Sequence, residues 1–519
     1  MPPCMLATAH SATLIGLEAH PVRVEVEATR GLPSFELVGL AEAVVRESRV
    51  RVKSALAQVG VSIGDRRIVV NLAPADVRKV GSGFDVALAA AVLAALGVVP
   101  LEVLEGVLFV GELSLTGAVH SVRGVLPQLM GARARGFARA VVPRGNGGEA
   151  GLVEGIDVRT IASLGELLGA LQGATELPEA VPIPIGPSAA LTDDLSDVRG
   201  QISARRALEI AAAGGHNLLM IGPPGAGKTM LARRVPGLLP ALSSQEALEV
   251  MAIHSVAGLL SSPRSGPRAR PFRAPHHTVS EVGLVGGGDG PRPGEVTLAH
   301  HGVLFLDELA EFRRAALEAL RQPLEDGVVT ISRAQAKATF PARPLVVGAM
   351  NPCACGYLGD GTDRCACSPD RVRAYRSRLS GPLLDRIDVH VVLPPVSVSA
   401  LQRGCVGESS ALVRERVERG RAVQRDRQAR GETVAATNAS LSPRELETVA
   451  ALCDGGSRLI GAAMTRLSLS ARAYAKVLRV ARTIADLDGK AAIGTAHLAE
   501  AIGYRILDRG GGARAASAA

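Results

Sequence analysis

The chain has 519 residues, 47% apolar but only 2% aromatic and none of them Trp, which predicts several domains with cores built from Ala, Val, Leu and Ile. Its net charge of +8 permits nucleic-acid binding without requiring it. Seven mostly clustered cysteines argue against a disulfide framework, and neither a secretory signal nor a bilayer-length apolar run is visible, so the expectation is a reduced, cytoplasmic protein with no membrane partner.

Nearly all of the 58 basic residues are Arg, the mark of a GC-rich genome. The first block alternates strand-like runs ("VRVEVEAT", "RRIVVNLAP") with the helically spaced "EAVVRESRVRVKSALAQVG". "VALAAAVLAALGVVP" reads as a buried helix. These elements place a first domain at 1–175, and the Pro-rich "ELPEAVPIPIGPSAA" places a linker at 176–194. From 195 to 393, "NLLMIG", "GVLFLDE", "PLVVGAM" and "DVHVVL" recur between helices, the rhythm of a parallel α/β sheet. Residues 394–508 read as helical, and the tail 509–519 as disordered.

"MIGPPGAGKTMLARRV" carries Gly222-Pro223-Pro224-Gly225-Ala226-Gly227-Lys228-Thr229 between a strand and a helix. Backbone N–H groups of such a loop wrap phosphate oxygens, Lys228 neutralises them and Thr229 ligates Mg²⁺, so ATP and Mg²⁺ are the expected cofactors. After "GVLFL" come Asp307, placed to hold Mg²⁺ through water, and Glu308, placed to polarise an attacking water. An acidic pair there can also simply cap the next helix. Asn351 ends "PLVVGAM", where it can contact the γ-phosphate or position water. Arg386 lies between Asp385 and Asp388, by default a surface ion pair but in a ring ATPase a finger onto the neighbour's nucleotide. Arg472 opens a helix of the third block.

"AMNPCACGYLGDGTDRCACSP" sets Cys353 and Cys355 against Cys365 and Cys367. Four such thiolates can hold one structural Zn²⁺; four reduced thiols in a tight loop are the alternative. Arg364, Arg371, Arg373, Arg376 and Arg378 form a basic collar around them. "GVVTIS" and "ATFPA", with "RAQAK" between them, read as a β-hairpin. "VGGGDGPRPG" reads as a mobile loop without regular structure. His276-His277 and His300-His301 raise the question of a metal, but adjacent imidazoles usually point apart, which argues against it.

The succession "GPPGAGKT", "LFLDE", "GAMNPC", "LLDRID", "SARAYAKVLRVARTIAD" resembles an AAA+ ATPase, and more narrowly the magnesium-chelatase-like YifB/ComM family, over almost the whole chain. That resemblance implies an α/β multidomain protein with an AAA+ P-loop core and a helical lid. It further implies a homo-hexameric ATPase with Asn351 as sensor, Arg386 as trans-acting finger and Arg472 as second sensor. ComM members are described as DNA helicases that promote branch migration during natural transformation, so single-stranded or branched DNA is the implied partner. The hairpin is similar to the pore hairpin of minichromosome-maintenance helicases, with Arg333 and Lys337 near its tip touching phosphates without reading bases. The Gly-rich stretch corresponds to the helix-two insert. "NLAPADVRKVGSGFDVALAAAVLAALGVV" and "GELSLTGAVHSVRGVLPQLMGARARGFARAVVPRGN" resemble the Lon-protease-like (ribosomal-protein-S5-like) domain. Its nucleophile and base positions fall on Gly83 and Leu126, which cannot do that chemistry; Ser82 is adjacent, and Lys79 belongs to the wrong motif. Alternatives are a metal-inserting chelatase motor and an ATP-dependent protease.

Overall fold

The computed structural model describes residues 5–39, 42–79, 81, 83–183, 193–260, 270–288, 290–333, 336–396, 407–467, 469–505 and 507. Ser82 and the tail 509–519 lie outside them.

In the strand Glu18–Arg30, Val22, Val24, Val26 and Ala28 face inward while Arg23 and Glu27 face water. That period of two makes it the half-buried spine of a seven-stranded mixed sheet. The order is Ser34–Val38, Arg66–Ala73, Glu18–Arg30, Met5–Ile15, Val107–Phe109, Arg139–Pro143, Asp157–Ile161. Helix Asp85–Ala95 is buried at every position, as a helix apolar on all sides must be. Its first residue, Asp85, takes two bonds from Arg51 at 2.6 and 3.0 Å and one from the Leu113 N–H at 3.0 Å.

The second sheet has five strands in the order Phe272–Arg273, Val303–Leu306, Leu345–Met350, Leu218–Ile221, Val389–Val392, all parallel. Its three middle strands are buried throughout, hence their unbroken apolar runs. The order sets Leu345–Met350 between Leu218–Ile221 and Val303–Leu306, so Asn351 emerges between the loop that begins at Gly222 and the one that begins at Asp307.

Helices Ser410–Ala429, Pro443–Val449, Asp454–Leu467, Ala471–Leu487 and Thr495–Gly503 follow. The third of these carries Gly455-Gly456, two poor helix formers, in its first turn. No helix among the described residues is long and apolar enough to cross a membrane.

Two other stretches differ from expectation. Part of the Pro-rich stretch lies along the first sheet: the Ala180 N–H donates to Val158 O and the Ile183 N–H to Gly148 O, both at 2.9 Å. The Gly-rich insert is ordered as helix Glu281–Val285 and a two-stranded ribbon, Gly286–Gly287 against Arg292–Pro293. Glycine is needed there because Gly286 (φ +107°) and Gly294 press backbone on backbone, leaving no room for a Cβ.

Among the described residues the N-terminal block touches the second block at two places. Val125 and Leu129 share one apolar cluster with Leu242, Val250 and Met251. Beside it Ser255 Oγ donates to the buried Glu149 at 2.5 Å. The turn at Gly16 sits on Ala338 and Phe340, at the base of the hairpin Val328–Arg333/Ala336–Pro341.

Candidate functional site

Gly225 (φ +79°) and Gly227 (φ +87°) turn the loop through left-handed backbone before helix Lys228–Leu238 begins. Lys228 Nζ donates to Gly222 O at 2.6 Å, Pro223 O at 3.0 Å and Asn351 Oδ1 at 3.1 Å. Burial lowers its pKa, and Asp307 and Glu308 act against that. Thr229 Oγ1 donates to Asp307 Oδ2 at 2.8 Å, which places a hydroxyl and a carboxylate side by side, a donor set suited to Mg²⁺. Lys228, Thr229, Asp307 and Asn351 therefore converge, from three loops at one edge of the sheet.

Glu308 does not join that knot. Its backbone is left-handed (φ +51°), and Oε2 lies 3.3 Å from His277 Nδ1. Sequence reasoning missed this pairing. It also missed Gln201, which is left-handed too (φ +53°) and donates to Ala226 O at 3.2 Å and Pro394 O at 2.8 Å, tying the loop before the first helix of this block to the P-loop. The sequence carries no signal for either.

Arg386 points away from the P-loop of its own chain. Nε donates to Arg321 O at 3.1 Å, Nη1 to Pro382 O at 2.7 Å, and Nη2 pairs with Glu325. With its side chain 14% exposed, it is not an ordinary surface ion pair. It lines a cleft of about 620 Å³ with Glu281, Glu318, Glu325 and Asp326. Arg472 is exposed, and its charged partner among the described residues is Asp385 at 3.9 Å, so it stands at the Arg386 edge and not at the cradle. One turn along the same helix, Lys476 Nζ lies 2.8 Å from the buried Asp388, whose other oxygen faces His216 Nδ1 at 3.3 Å.

Cys353, Cys355, Cys365 and Cys367 bring all four sulfurs within 4.8 Å of one another. Three separations are 3.3, 3.8 and 3.6 Å. A tetrahedral Zn²⁺ with Zn–S bonds of about 2.3 Å sets its sulfurs about 3.8 Å apart, so the donor set fits this metal. Gly356 of the same loop packs on Pro224 of the P-loop, so the cluster roofs the phosphate cradle of its own chain. The basic collar is largely engaged within the chain. Arg364 binds Asp360, Arg373 binds Asp370, Arg376 reaches Pro352 O and Arg378 binds Glu311. Arg371 alone of the five has no such partner among the described residues.

The adjacent imidazoles do not point apart. The rings of His276 and His277 lie tilted with centroids 4.1 Å apart, and those of His300 and His301 tilted with centroids 3.9 Å apart. The left-handed backbone of His301 (φ +55°) turns both rings of the second pair onto Glu249 Oε2, at 3.2 and 2.9 Å. Glu249, His300 and His301 bring one ligand atom each within 4.8 Å of one another, but a hydrogen bond to His300 works against a metal there. His300 Nδ1 accepts the Arg343 N–H at 3.1 Å, so the ring proton sits on Nε2, the atom that faces Glu249. Burial, with His301 beside it, holds His300 down to about 4, hence neutral at pH 7.

The strands Val328–Arg333 and Ala336–Pro341 pair as the expected hairpin. Arg333 pairs with Ala336 and Lys337 with Ser332, so Lys337 is exposed one step below the last pair. In the N-terminal block, Leu126 is fully buried and a Cβ built at Gly83 would meet Val110 and Val122; a leucine and a glycine offer neither a nucleophile nor a base. Lys79 is buried and donates to Pro74 O.

A five-stranded parallel sheet with the P-loop at one strand end, an acidic pair at the next but one and Asn351 between them is the architecture of an AAA+ P-loop protein. Family models agree: "Magnesium chelatase, subunit ChlI" matches residues 194–401, "Subunit ChlI of Mg-chelatase" 24–146, and "Magnesium chelatase, subunit ChlI C-terminal" 407–505. The chain is 43% identical over 511 residues to Competence protein ComM of Haemophilus influenzae (97% of this chain, 98% of the relative). It is 43% identical over 505 residues to YifB of Escherichia coli (97% and 98%). An uncharacterized protein of Mycobacterium tuberculosis is 46% identical over 502 residues (96% and 98%). The chain therefore belongs to the YifB/ComM family of magnesium-chelatase-like AAA+ proteins. Membership implies the use of ATP and Mg²⁺ and the hydrolysis of ATP.

Proposed function

We propose that this chain is an ATP-driven DNA motor of helicase or branch-migration type, built as a homo-hexamer and acting on single-stranded or branched DNA. In this reading it serves recombination of incoming DNA during natural transformation; the Haemophilus influenzae relative bears the name competence protein. One observation carries the reading. Lys228, Thr229, Asp307 and Asn351 form a phosphate cradle, while Arg386, with Arg472 on the same side, is turned to another edge of the chain. A site divided in this way is complete only between two copies.

In this reading Lys228 and the loop from Gly222 to Gly227 hold the phosphates. Thr229 and Asp307 hold Mg²⁺. Glu308 accepts a proton from, or orients, the attacking water. Asn351 senses the γ-phosphate, and Arg386 stabilises charge on the phosphate bound by the neighbouring copy. Zinc on the four cysteines, when bound, fixes the loop that roofs the cradle. The exposed Lys337, with Arg333 on the paired strand, would grip DNA phosphates. The N-terminal block is read as a Lon-like fold without peptidase activity, and the C-terminal helices as the lid.

The magnesium-chelatase family models support a second reading, the motor subunit of a metal-inserting enzyme. Steady-state ATP hydrolysis with and without single-stranded and forked DNA, together with fork unwinding, separates the two. A DNA motor is stimulated by one of these substrates and opens forks. Hydrolysis indifferent to DNA, with no unwinding, would sink the DNA reading and favour the second.

A further inference from the structure

Arg386 lies in the turn between helix Gly381–Leu384 and strand Val389–Val392. An aspartate stands on either side of it, and each meets a cation of helix Ala471–Leu487. Asp385 lies 3.9 Å from Arg472, and Asp388 lies 2.8 Å from Lys476. Arg472 and Lys476 are four residues apart and so share one face of their helix. Two anions flanking one arginine thus meet two cations in a single register.

The two pairs differ in strength. Arg472 is exposed, and water screens its pair. Asp388 and Lys476 are buried, where little water competes. The other Asp388 oxygen faces His216 Nδ1 at 3.3 Å, and His216 Nε2 lies 2.7 Å from Thr483 Oγ1, on the same helix as Lys476. The backbone of the turn is tied to the sheet side instead. Asn217 Nδ2 donates to Arg386 O at 3.0 Å, and the Asp388 N–H donates to Asn217 O at 3.0 Å. The Arg386 guanidinium leaves in another direction, onto Arg321 O, Pro382 O and Glu325. Lys476 therefore bears on Arg386 through Asp388 and the turn.

We propose that Lys476 is a positioning residue for ATP hydrolysis in the neighbouring copy. Its pair with Asp388 sets the turn against helix Ala471–Leu487 and so fixes where Arg386 is presented. This rests on the reading of Arg386 as the finger that acts on the neighbour's nucleotide. Such a group has to be held within about 0.5 Å of its working place, and a shift of about 1 Å costs about 10²-fold in rate. A buried hydrogen bond between two charges, short and directional, supplies that kind of restraint.

The test is steady-state ATP hydrolysis by the full chain for Lys476→Met, Asp388→Asn/Lys476→Met, Arg386→Ala and Lys228→Ala, alone and co-expressed in pairs so that mixed rings form. Both Lys476 variants should bind a fluorescent ATP analogue at wild-type affinity. Their kcat should fall about 10- to 100-fold, short of the loss expected for removing Arg386 itself. The double variant leaves no unpaired buried charge, so its low rate does not come from a loosened fold. Co-expression then separates the two halves of each site. Either Lys476 variant with Lys228→Ala should exceed both parents, because an intact cradle meets an intact finger. Either one with Arg386→Ala should gain nothing. Gain with Arg386→Ala but not with Lys228→Ala would put Lys476 in the service of its own cradle and overturn the proposal. A double variant with wild-type kcat would overturn it too, since the lysine would then matter to folding alone. The underlying reading fails separately: no gain when Arg386→Ala is paired with Lys228→Ala removes the finger from the neighbour's site, and the proposal falls with it. Gain in that control pair leaves the Lys476 pairs to decide.

Discussion

Replacing Lys476 by Met takes one of two partners from a carboxylate that lies almost out of water. Lys476 Nζ stands 2.8 Å from one oxygen of Asp388, and His216 Nδ1 stands 3.3 Å from the other. The Lys476 and Asp388 side chains are only 9% and 10% exposed. Burial opposes ionisation of Asp388, yet Lys476 and His216 overcome it and hold the carboxyl well below the usual carboxylate range. Met keeps the volume of the lysine stem, so the loss is electrostatic and leaves little cavity. Breaking a buried pair from one side costs about 3–5 kcal/mol, and the retained His216 contact favours the lower end. For a cooperative unit of roughly 150–250 residues each kcal/mol is worth about 2–4 °C, so the transition that melts Val389–Val392 with Ala471–Leu487 should fall by about 6–12 °C. Calorimetry at pH 7 measures it. The double variant Asp388→Asn/Lys476→Met should regain most of the loss, since it buries no charge. The sign of the pH dependence follows from the depressed pKa. Asp388 contributes fully above its unfolded value of about 3.9, and the contribution fades as pH falls below that. The gap between wild type and Lys476→Met should therefore narrow in acid. A single variant that melts within about 2 °C of wild type, or a double variant that loses the sum of both singles, refutes the charge lock.

Lys228→Ala should abolish binding of a fluorescent ATP analogue, whereas Glu308→Gln should bind it and release no phosphate; wild-type turnover in the latter would displace Glu308 from its role. Arg386→Ala should bind nucleotide normally but hydrolyse it about 10³–10⁵-fold more slowly. Mixing it with Lys228→Ala protein should recover activity at interfaces that hold both intact halves, and no recovery at any ratio would argue for action within one chain. Zinc content by mass spectrometry should approach one ion per chain and vanish in Cys353→Ser/Cys355→Ser, with a lower melting temperature, because structural zinc adds directly to folding free energy. A wild-type chain purified with zinc present yet metal-free would leave the cluster as four thiols. Arg333→Ala/Lys337→Ala should weaken DNA binding equally across sequences and reduce the slope of log K against log salt by roughly 0.7 per lost contact on single strands.

The parts that depend on short-range chemistry were legible in the sequence. A P-loop announces itself because glycine spacing, lysine and hydroxyl must be adjacent along the chain, and unbroken apolar runs fixed the strands that carry Asp307 and Asn351. What could not be read depends on backbone turns and on pairs far apart in sequence. The left-handed residues Gln201, His301 and Glu308 are not glycines, so no composition rule marks them. As a result the meeting of His277 with Glu308 and the convergence of His300 and His301 on Glu249 were invisible. Gly455-Gly456 disfavour the helix they open, and tertiary packing sustains it: Gly456 is buried, with Leu498 and Leu452 within reach of a Cβ built there. The rare lysines carry a further clue. In a chain that writes nearly every cation as Arg, a lysine is conspicuous, and Lys79, Lys228 and Lys476 all have low exposure or half-buried ammonium groups. A compact ammonium fits where a planar guanidinium fork does not.

The resting of the Gly16 turn on Ala338 and Phe340, with the Leu242, Val250 and Met251 face against Val125 and Leu129, bears on how this protein can be divided. A chain started at Leu195 would keep every residue of the phosphate cradle and still lay bare two apolar patches, one beneath the hairpin and one on helix Ser244–Ala257. Patches of that kind promote self-association. The nucleotide-handling half is therefore not a portable cassette. Shuffled onto another partner or expressed alone, it would need new polar surface at both patches, and sequence change on either side of the seam is answerable to the other.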